Sequence, residues 1–246
     1  MALIFVACFF PGCKGAPPKP VAVPAPPPPP APPPKPRLAR PPVAVTPPLT
    51  QELDPRLSRI DSVARQAIAT GGFPGAVILV GHQGKIVYHK GFGYRSILPR
   101  RQPMTEDTIF DLASLTKVIA TTTAVMQLVD EGRLGLDDPV GKYWPAFDRN
   151  GKRHITIRHL LTHCSGLRPE VNPRVRWQGY EGAIVAIADD YPVKTPGNSF
   201  KYSDANFIAL GEIVHRVSGM PLNVYCQKKI FRPLGLRHTS FLPPAS

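Results

Sequence analysis

Acidic residues are missing from the first fifty positions of this 246-residue chain, although five of its 30 basic residues lie there. The same stretch holds more than half of the 32 prolines, including the run Pro26 to Pro30. Proline lacks a backbone donor, so this composition excludes a hydrogen-bonded helix or sheet. We therefore predict a leader over residues 1–13, an extended proline-rich linker over residues 14–50 and a folded domain over residues 51–246.

Long apolar runs are also scarce. The run from Ala2 to Phe10 is too short for a transmembrane helix but has the length of a secretory signal core. No basic residue precedes this run, so it is either a clipped signal or not a signal. Gly12 before Cys13 resembles a degenerate lipoprotein cleavage site. We expect an exported, periplasmic or cell-envelope protein, and a lipid anchor at Cys13 is one interpretation.

Cysteine is too rare for a disulfide framework, because only Cys164 and Cys226 of the four cysteines lie in the predicted domain. A bridge between them would be compatible with export, but two free buried thiols are the preferred prediction. The predicted domain carries 25 basic and 17 acidic residues, a net charge of +8. This excess favours membrane or cell-wall association. The basic residues are scattered and form no recognised motif, so no nucleic-acid partner is predicted.

What the chain does contain is a serine and a lysine one helical turn apart. Ser114 and Lys117 stand where the helix-forming run Val118 to Asp130 begins, and residues i and i+3 of a helix share a face. A serine hydroxyl needs a neighbouring base to act as a nucleophile. The free N–H groups of a helix start can also stabilise an oxyanion. The pattern predicts acyl transfer; the alternative is a helix-start serine with a solvated lysine.

Hydrophobic periodicity predicts the elements around this segment. We expect a helix over 51–70, a hairpin with strands at 76–80 and 85–90, and helices over 118–130, 155–163, 182–189 and 204–218. His159 and His163 lack the glutamate of a zinc-binding H-E-x-x-H pattern, so we predict no metal and a packed or capping role for both. Ser203 or Asp204 is expected to cap the last helix. Tyr202 then reaches a cleft or is a buried tyrosine with a bonded hydroxyl.

Several stretches match one family in order and spacing, from about residue 55 to the end of the chain. They are Phe110–Lys117, Leu128–Leu134 with Leu136–Val140, Leu160–Leu167, Tyr202–Asp204 with Leu210–Gly211, and Pro233–Leu236. Together they resemble the serine beta-lactamase-related family of class C beta-lactamases, D-alanyl-D-alanine carboxypeptidases and lactamase-like esterases. The resemblance implies an α+β fold, a sheet layer with an inserted helical region, and an acyl-enzyme mechanism without a cofactor. Ser114 would be the nucleophile, with Lys117 and Tyr202 as the proton-transfer pair.

Two departures from the family pattern bear on function. Asp204 stands where the family usually has an amide that holds substrate, so it is the predicted substrate-binding residue. It would raise the pKa of Lys117 and shift proton transfer toward Tyr202. An alternative alignment treats Ser203–Ala205 as a damaged S-D-N motif. The family's third motif, K-T-G or H-x-G, is not found, since Lys194–Gly197 precedes Tyr202; we therefore expect an N-terminal portion whose later strands are missing.

The combined prediction is a serine hydrolase that acts through an acyl-enzyme. Its substrate would be a small ester, an amide or a peptidoglycan peptide, cleaved in the manner of an esterase, a D-alanyl peptidase or a beta-lactamase. The alternatives are a non-catalytic binding protein of the cell envelope and a truncated inactive homologue.

Overall fold

A computed structural model describes residues 57–242, which form two compact units, 57–110 and 111–242. The predicted leader and linker, Cys8, Cys13 and the first residues of the predicted domain lie outside this range and stay predictions. The described residues combine helices with a small antiparallel sheet. This architecture confirms the predicted α+β class.

The first unit is a helix followed by an antiparallel sheet in the order β1-β2-β3. Its elements are α1 (Ser58–Ala69), β1 (Gly75–His82), β2 (Lys85–Ser96) and β3 (Gln102–Pro103). Gln83 and Gly84 join β1 to β2 with φ values of 48° and 74°, and two residues of positive φ form the hairpin turn that suits strand twist. The predicted helix and hairpin are confirmed, whereas the two-residue β3 carried no sequence pattern.

Apolar burial holds α1 against β2 within this unit. Ala64 of α1 packs with Tyr88 and Phe92 of β2, and all three side chains are buried. Asp61 of α1 accepts a hydrogen bond of 2.7 Å from the Tyr88 hydroxyl and pairs with the Lys90 ammonium. The helix is therefore fixed to the sheet by an apolar contact and by polar contacts at its margin.

The regular elements of the second unit are helices joined by loops. Its elements are a π-helical turn (Lys117–Thr122) that continues into α2 (Thr123–Asp130), two 3-10 turns (Val140–Lys142 and Pro145–Phe147), α3 (Ile157–Leu161), α4 (Gly179–Asp189), α5 (Asp204–Ser218), α6 (Leu222–Cys226) and a π-helical turn (Gln227–Phe231). The predicted helix over residues 118–130 is confirmed, although its first part is π-helical and becomes α-helical only at Thr123. Across residues 57–242, no helix is both long and apolar enough to span a bilayer.

Helix α5 is the central element of this unit and contacts α2, α3, α4 and α6. Most of its residues are buried, including Ala209, Leu210 and Ile213, as expected for a helix surrounded by other helices. The Ser203 hydroxyl caps it by accepting from the Asn206 N–H at 3.3 Å, and Gly219 ends it with φ 74°. The prediction of a cap at Ser203 or Asp204 is therefore confirmed, at Ser203.

Both cysteines of the described region are free. Cys226 is buried and Cys164 is only half-buried. The predicted pair of free thiols is confirmed, but the prediction that both are buried is wrong for Cys164, which lies three residues after the end of α3.

Candidate active site

A tight turn presents Ser114 at the start of the helical segment. The Asp111 carboxylate accepts from the Ala113 N–H at 2.8 Å, and Ala113 has φ 41°, in the left-handed region. A non-glycine residue is rare there and costs about 1–2 kcal/mol. Such strain is typical of segments in which the surrounding structure fixes one side chain in place.

Lys117 reaches Ser114 as the spacing predicts. Its Nζ lies 3.1 Å from the Ser114 Oγ, in a hydrogen bond. The expectation of free N–H groups after the serine is wrong, because the N–H of Leu115 donates to Leu112 at 2.8 Å and that of Thr116 donates to Ala113 at 3.0 Å. Tight turns before the π-helix therefore use the donors that an ordinary helix start would leave open.

Tyr202 comes to the same point from a distant loop. The Lys117 Nζ lies 4.9 Å from the centre of the Tyr202 ring. Hydrogen bonds with Lys117 and with Ser114 lower the pKa of the Tyr202 phenol. The side chain is 45% exposed, so the alternative of a buried tyrosine is wrong. The structure brings Ser114, Lys117 and Tyr202 together.

Asp204, the first residue of α5, completes the group. Its Oδ1 lies 2.6 Å from the Lys117 Nζ. Burial opposes the charged form of Lys117, but hydrogen bonds with Asp204 and Tyr202 outweigh it and raise the pKa of the lysine. The direction is the one that the substitution of aspartate for an amide implied. Lys117 is therefore an ammonium at neutral pH.

His163 is a further residue of the site that sequence reasoning did not assign to it. Its ring lies 4.5 Å from the Tyr202 ring and 5.1 Å from the Phe207 ring, centre to centre. Its Nδ1 accepts from the Ser203 N–H at 3.1 Å. Burial, and then the charge of Lys117, lower the pKa of His163. The ring of Tyr202 therefore packs against a neutral imidazole.

A chain of hydrogen bonds fixes which nitrogen of His163 is the acceptor. The Ser165 hydroxyl accepts from the Leu167 N–H at 3.0 Å and donates to the Asn206 Oδ1 at 2.5 Å. The amide nitrogen of Asn206 then faces the His163 Nδ1 at 3.4 Å. Nδ1 must accept, so the proton of the neutral ring is on Nε2. The sequence signal for this network was the stretch Leu160–Leu167, which contains His163 and Ser165.

The other histidine of the predicted pair has a separate role. The His159 Nδ1 accepts from the Thr156 N–H at 3.3 Å, and the Thr156 hydroxyl accepts from the His159 N–H at 3.2 Å. This reciprocal capping box starts α3. Over residues 57–242, His, Cys, Asp and Glu form no group of three that could hold a metal ion.

A cavity of about 750 Å³ within the second unit exposes Ser114, Lys117 and Asp204. Its walls come from α4, α5 and α6 as well as from the turn before the π-helix. Lys194, in the K-T-P-G sequence that resembles a third motif, is not among the lining residues. The geometry thus offers a nucleophile and a cation on the wall of a ligand-sized space. The phenol of Tyr202 is hydrogen-bonded to both residues.

Comparison with known proteins places this arrangement in a family. The chain is 34% identical over 212 residues to the Bacillus subtilis (strain 168) protein named N-acetylmuramyl-L-alanine amidase, with 76% of this chain and 47% of that protein aligned. The chain spans about half the length of the curated relatives it matches.

Solved structures agree with this relation. EstCE1, described as a hydrolase with promiscuous acyltransferase activity, is similar with a TM-score of 0.65 and 30% identity over 73% of this chain and 51% of that chain. The octameric penicillin-binding protein homologue from Pyrococcus abyssi has a TM-score of 0.64 and 35% identity over 74% of this chain and 43% of that chain. The sequence model of the Beta-lactamase family matches residues 60–246. The chain therefore belongs to the serine beta-lactamase-related family of hydrolase-like proteins.

Proposed function

We propose that this chain carries the nucleophile and proton-transfer groups of a serine hydrolase that acts through an acyl-enzyme on small esters or amides. The observation that carries the proposal is the hydrogen bond of 3.1 Å between the Lys117 Nζ and the Ser114 Oγ, at a site where Tyr202 is hydrogen-bonded to both residues. A serine beside an ammonium and a phenol of lowered pKa is suited to nucleophilic catalysis.

In the proposed mechanism Tyr202 is the base and Lys117 is the cation that supports it. A raised pKa keeps the proton on Lys117, whereas the lowered pKa of Tyr202 makes its phenolate accessible. The phenolate takes the proton of Ser114 while the Oγ forms a bond to the acyl carbon. The bond to the leaving group breaks, and Tyr202 returns the proton to the departing oxygen or nitrogen.

The second half of the cycle repeats these steps with water. Tyr202 takes a proton from a water molecule, whose oxygen attacks the acyl carbon, and the bond to the Ser114 Oγ breaks as the Oγ regains a proton. The N–H groups of Leu115 and Thr116 already have carbonyl partners. The proposed donor from this segment to the oxyanion is therefore the N–H of Ser114 itself.

Names of relatives support a cell-envelope substrate within this class. The Bacillus subtilis relative is named N-acetylmuramyl-L-alanine amidase, and a structural neighbour is described as a penicillin-binding protein homologue. We propose export to the cell envelope as the setting, with a small ester, an amide or a peptidoglycan peptide as the substrate.

Covalent labelling tests the proposal against the alternative of a non-catalytic binding protein. A fluorophosphonate or a fluorescent penicillin should label the protein on Ser114, identified by peptide mass, and Ser114→Ala should abolish the labelling. The matched control is Ser62→Ala, which removes an exposed hydroxyl bonded to the Arg59 carbonyl in the first unit and should label like the unaltered protein. Absence of label on Ser114 with both reagents would support the binding protein instead.

A further inference from the structure

The cavity that exposes Ser114 is lined by more acidic than basic side chains. Its carboxylates are Asp111, Glu181 and Asp204, and its basic residues are Lys117 and His215. This balance is opposite to the net charge of +8 carried by the predicted domain. The local charge of the cavity lining therefore differs in sign from the net charge of the predicted domain.

Neither basic group of the lining is available to a ligand anion. Lys117 is paired with Asp204 at 2.6 Å. The His215 Nδ1 lies 3.6 Å from a carboxylate oxygen of Glu212, a residue outside the lining. An anionic ligand would therefore have to break an existing pair, and it would meet unneutralised carboxylate charge.

Asp204 sharpens this selection because a carboxylate only accepts hydrogen bonds. Its Oδ1 is ion-paired with the Lys117 ammonium, and 53% of the Asp204 side chain remains exposed. An amide at this position would donate to a substrate carbonyl and accept from a substrate N–H. The carboxylate does only the second, so a substrate that presents a carbonyl or carboxylate here is repelled.

The rest of the wall is apolar. Phe207 and Ile208 of α5 and Leu222 of α6 line the same cavity as Glu181. Burying an alkyl chain there contributes about 0.8 kcal/mol for each CH₂ group. A ligand with a positive charge at one point and an alkyl or aryl group beside it matches both kinds of wall.

We propose that this site takes esters or amides whose acyl part joins an ammonium or other N–H donor to an apolar chain, and that it disfavours acyl groups that carry a carboxylate. Asp204 and Glu181 are the residues that make the distinction. The proposal rests on the proposed function and names the substrate class of the same site.

The kinetic test uses three nitrophenyl esters of matched acyl length: ε-aminocaproate, heptanoate and pimelate. We expect kcat/KM to be about 5–10-fold higher for the aminocaproate than for the heptanoate, and lower again for the pimelate, as partly exposed charge pairs of about 1 kcal/mol predict. Asp204→Asn with Glu181→Gln should bring the aminocaproate to heptanoate ratio close to one. Glu170→Gln, which removes one negative charge at a residue outside the lining, should leave that ratio unchanged.

A binding measurement tests the inference whether or not the protein hydrolyses the esters. In the Ser114→Ala protein, heptylammonium should bind about 5–10-fold more tightly than heptanoate by calorimetry, and the two carboxylate substitutions should remove the difference. Equal binding of the two ions, or a preference for heptanoate, overturns the inference. Ser114-dependent hydrolysis without any ammonium preference overturns the inference alone, whereas absence of Ser114-dependent hydrolysis of every ester overturns the proposed function.

Discussion

The ammonium of Lys117 contacts three polar groups of the site at once: the hydroxyl of Ser114, the carboxylate of Asp204 and the phenol of Tyr202. Its hydrogen bond is the largest cause of the lowered pKa of Tyr202. Removing the ammonium therefore affects the base more than the nucleophile. This makes the pH dependence of turnover informative.

We expect Lys117→Met to lower Ser114-dependent ester hydrolysis at neutral pH by about 10²–10⁴-fold. Without the ammonium, the pKa of Tyr202 is higher, so the phenol keeps its proton and part of the lost activity should return as the pH rises. The measurement is kcat/KM as a function of pH. Lys201→Met, at the exposed lysine beside Tyr202, is the control. A low-pH side of the profile that stays in place in Lys117→Met would contradict the assignment of Tyr202 as the base.

His163 allows the two contacts of its ring to be separated by substitution. His163→Asn keeps an acceptor for the Ser203 N–H and tolerates the φ of 57° at this position. It removes the ring beside Tyr202, so we expect kcat to fall about 10–100-fold with little change in KM or in the melting temperature. His163→Phe keeps the ring but leaves the buried Ser203 N–H without an acceptor, which should cost about 1–3 kcal/mol of stability.

The measurements on both variants are kcat, KM and the melting temperature. Full kcat in His163→Asn would show that the imidazole does not position Tyr202. Because burial lowers the pKa of His163, protonation of the folded state is disfavoured. The histidine should therefore contribute no ionisation to the profile near neutral pH.

At the scale of elements, the loop before α5 depends on Gly166. This glycine has φ 76°, and a Cβ at this position would lie 2.0 Å from the Lys194 carbonyl oxygen. Its own carbonyl accepts from the N–H groups of Val193 at 2.8 Å and Lys194 at 3.3 Å. The segment that leads to Tyr202 is thus held against the loop after α3 by close backbone contact.

Gly166→Ala should therefore destabilise the protein more than strain alone predicts. Gly219 is the matched control, because it has φ 74° and no atom within 4 Å of an added Cβ. We expect Gly219→Ala to cost about 1–2 kcal/mol from the left-handed conformation, and Gly166→Ala about 1–3 kcal/mol more from the clash. Denaturant unfolding of both variants measures the difference. Equal costs would show that residues 193–194 move away freely.

The elements that sequence predicted well are those fixed by neighbours along the chain. The contact of Ser114 with Lys117 follows from a spacing of three residues, and the caps of α3 and α5 follow from Thr156 and Ser203. These features need only local geometry. The two-residue β3 and the π-helical turn after Ser114 carry no distinct periodicity, so they were not predicted.

The parts that sequence did not predict depend on contacts between distant segments. His163 and Asn206 are 43 positions apart, and their contact decides the proton position on the imidazole. The cavity joins residues from Asp111 to Phe241. Neither arrangement has a local pattern, whereas the family motifs indicated which segments belong to the site without giving their contacts.

At the scale of the whole molecule, stability at alkaline pH should depend on one buried lysine. Lys152 is 1% exposed, and its Nζ donates to the Ala188 carbonyl at 3.0 Å and to the Asp190 carbonyl. These bonds satisfy backbone carbonyl groups at the C-terminal end of α4. Burial lowers the pKa of Lys152 from 10.5 to about 8.

The sign of the effect follows from where the proton is bound. Between pH 8 and 10.5 the unfolded chain keeps a proton on Lys152 that the folded protein releases, so this lysine stabilises the fold increasingly as the pH rises. Relative to Lys152→Met, the unaltered protein should gain roughly 2–3 kcal/mol of unfolding free energy across this window. Urea titrations at several pH values measure the difference. A constant difference would show that Lys152 titrates alike in the folded and unfolded states.

The alkylation rate of the Cys226 thiol would report how often the helical unit opens. This thiol is fully buried, and burial raises its pKa to about 12, so an alkylating reagent that attacks thiolates finds nothing to react with while the interior stays closed. Cys164, which is only half-buried, supplies the reference for a thiol that solvent partly reaches in the folded protein. Mass spectrometry of the two cysteine-containing peptides over time, from one reaction, would give the rate of Cys226 alkylation relative to that of Cys164. That ratio reports how often the interior of the helical unit opens.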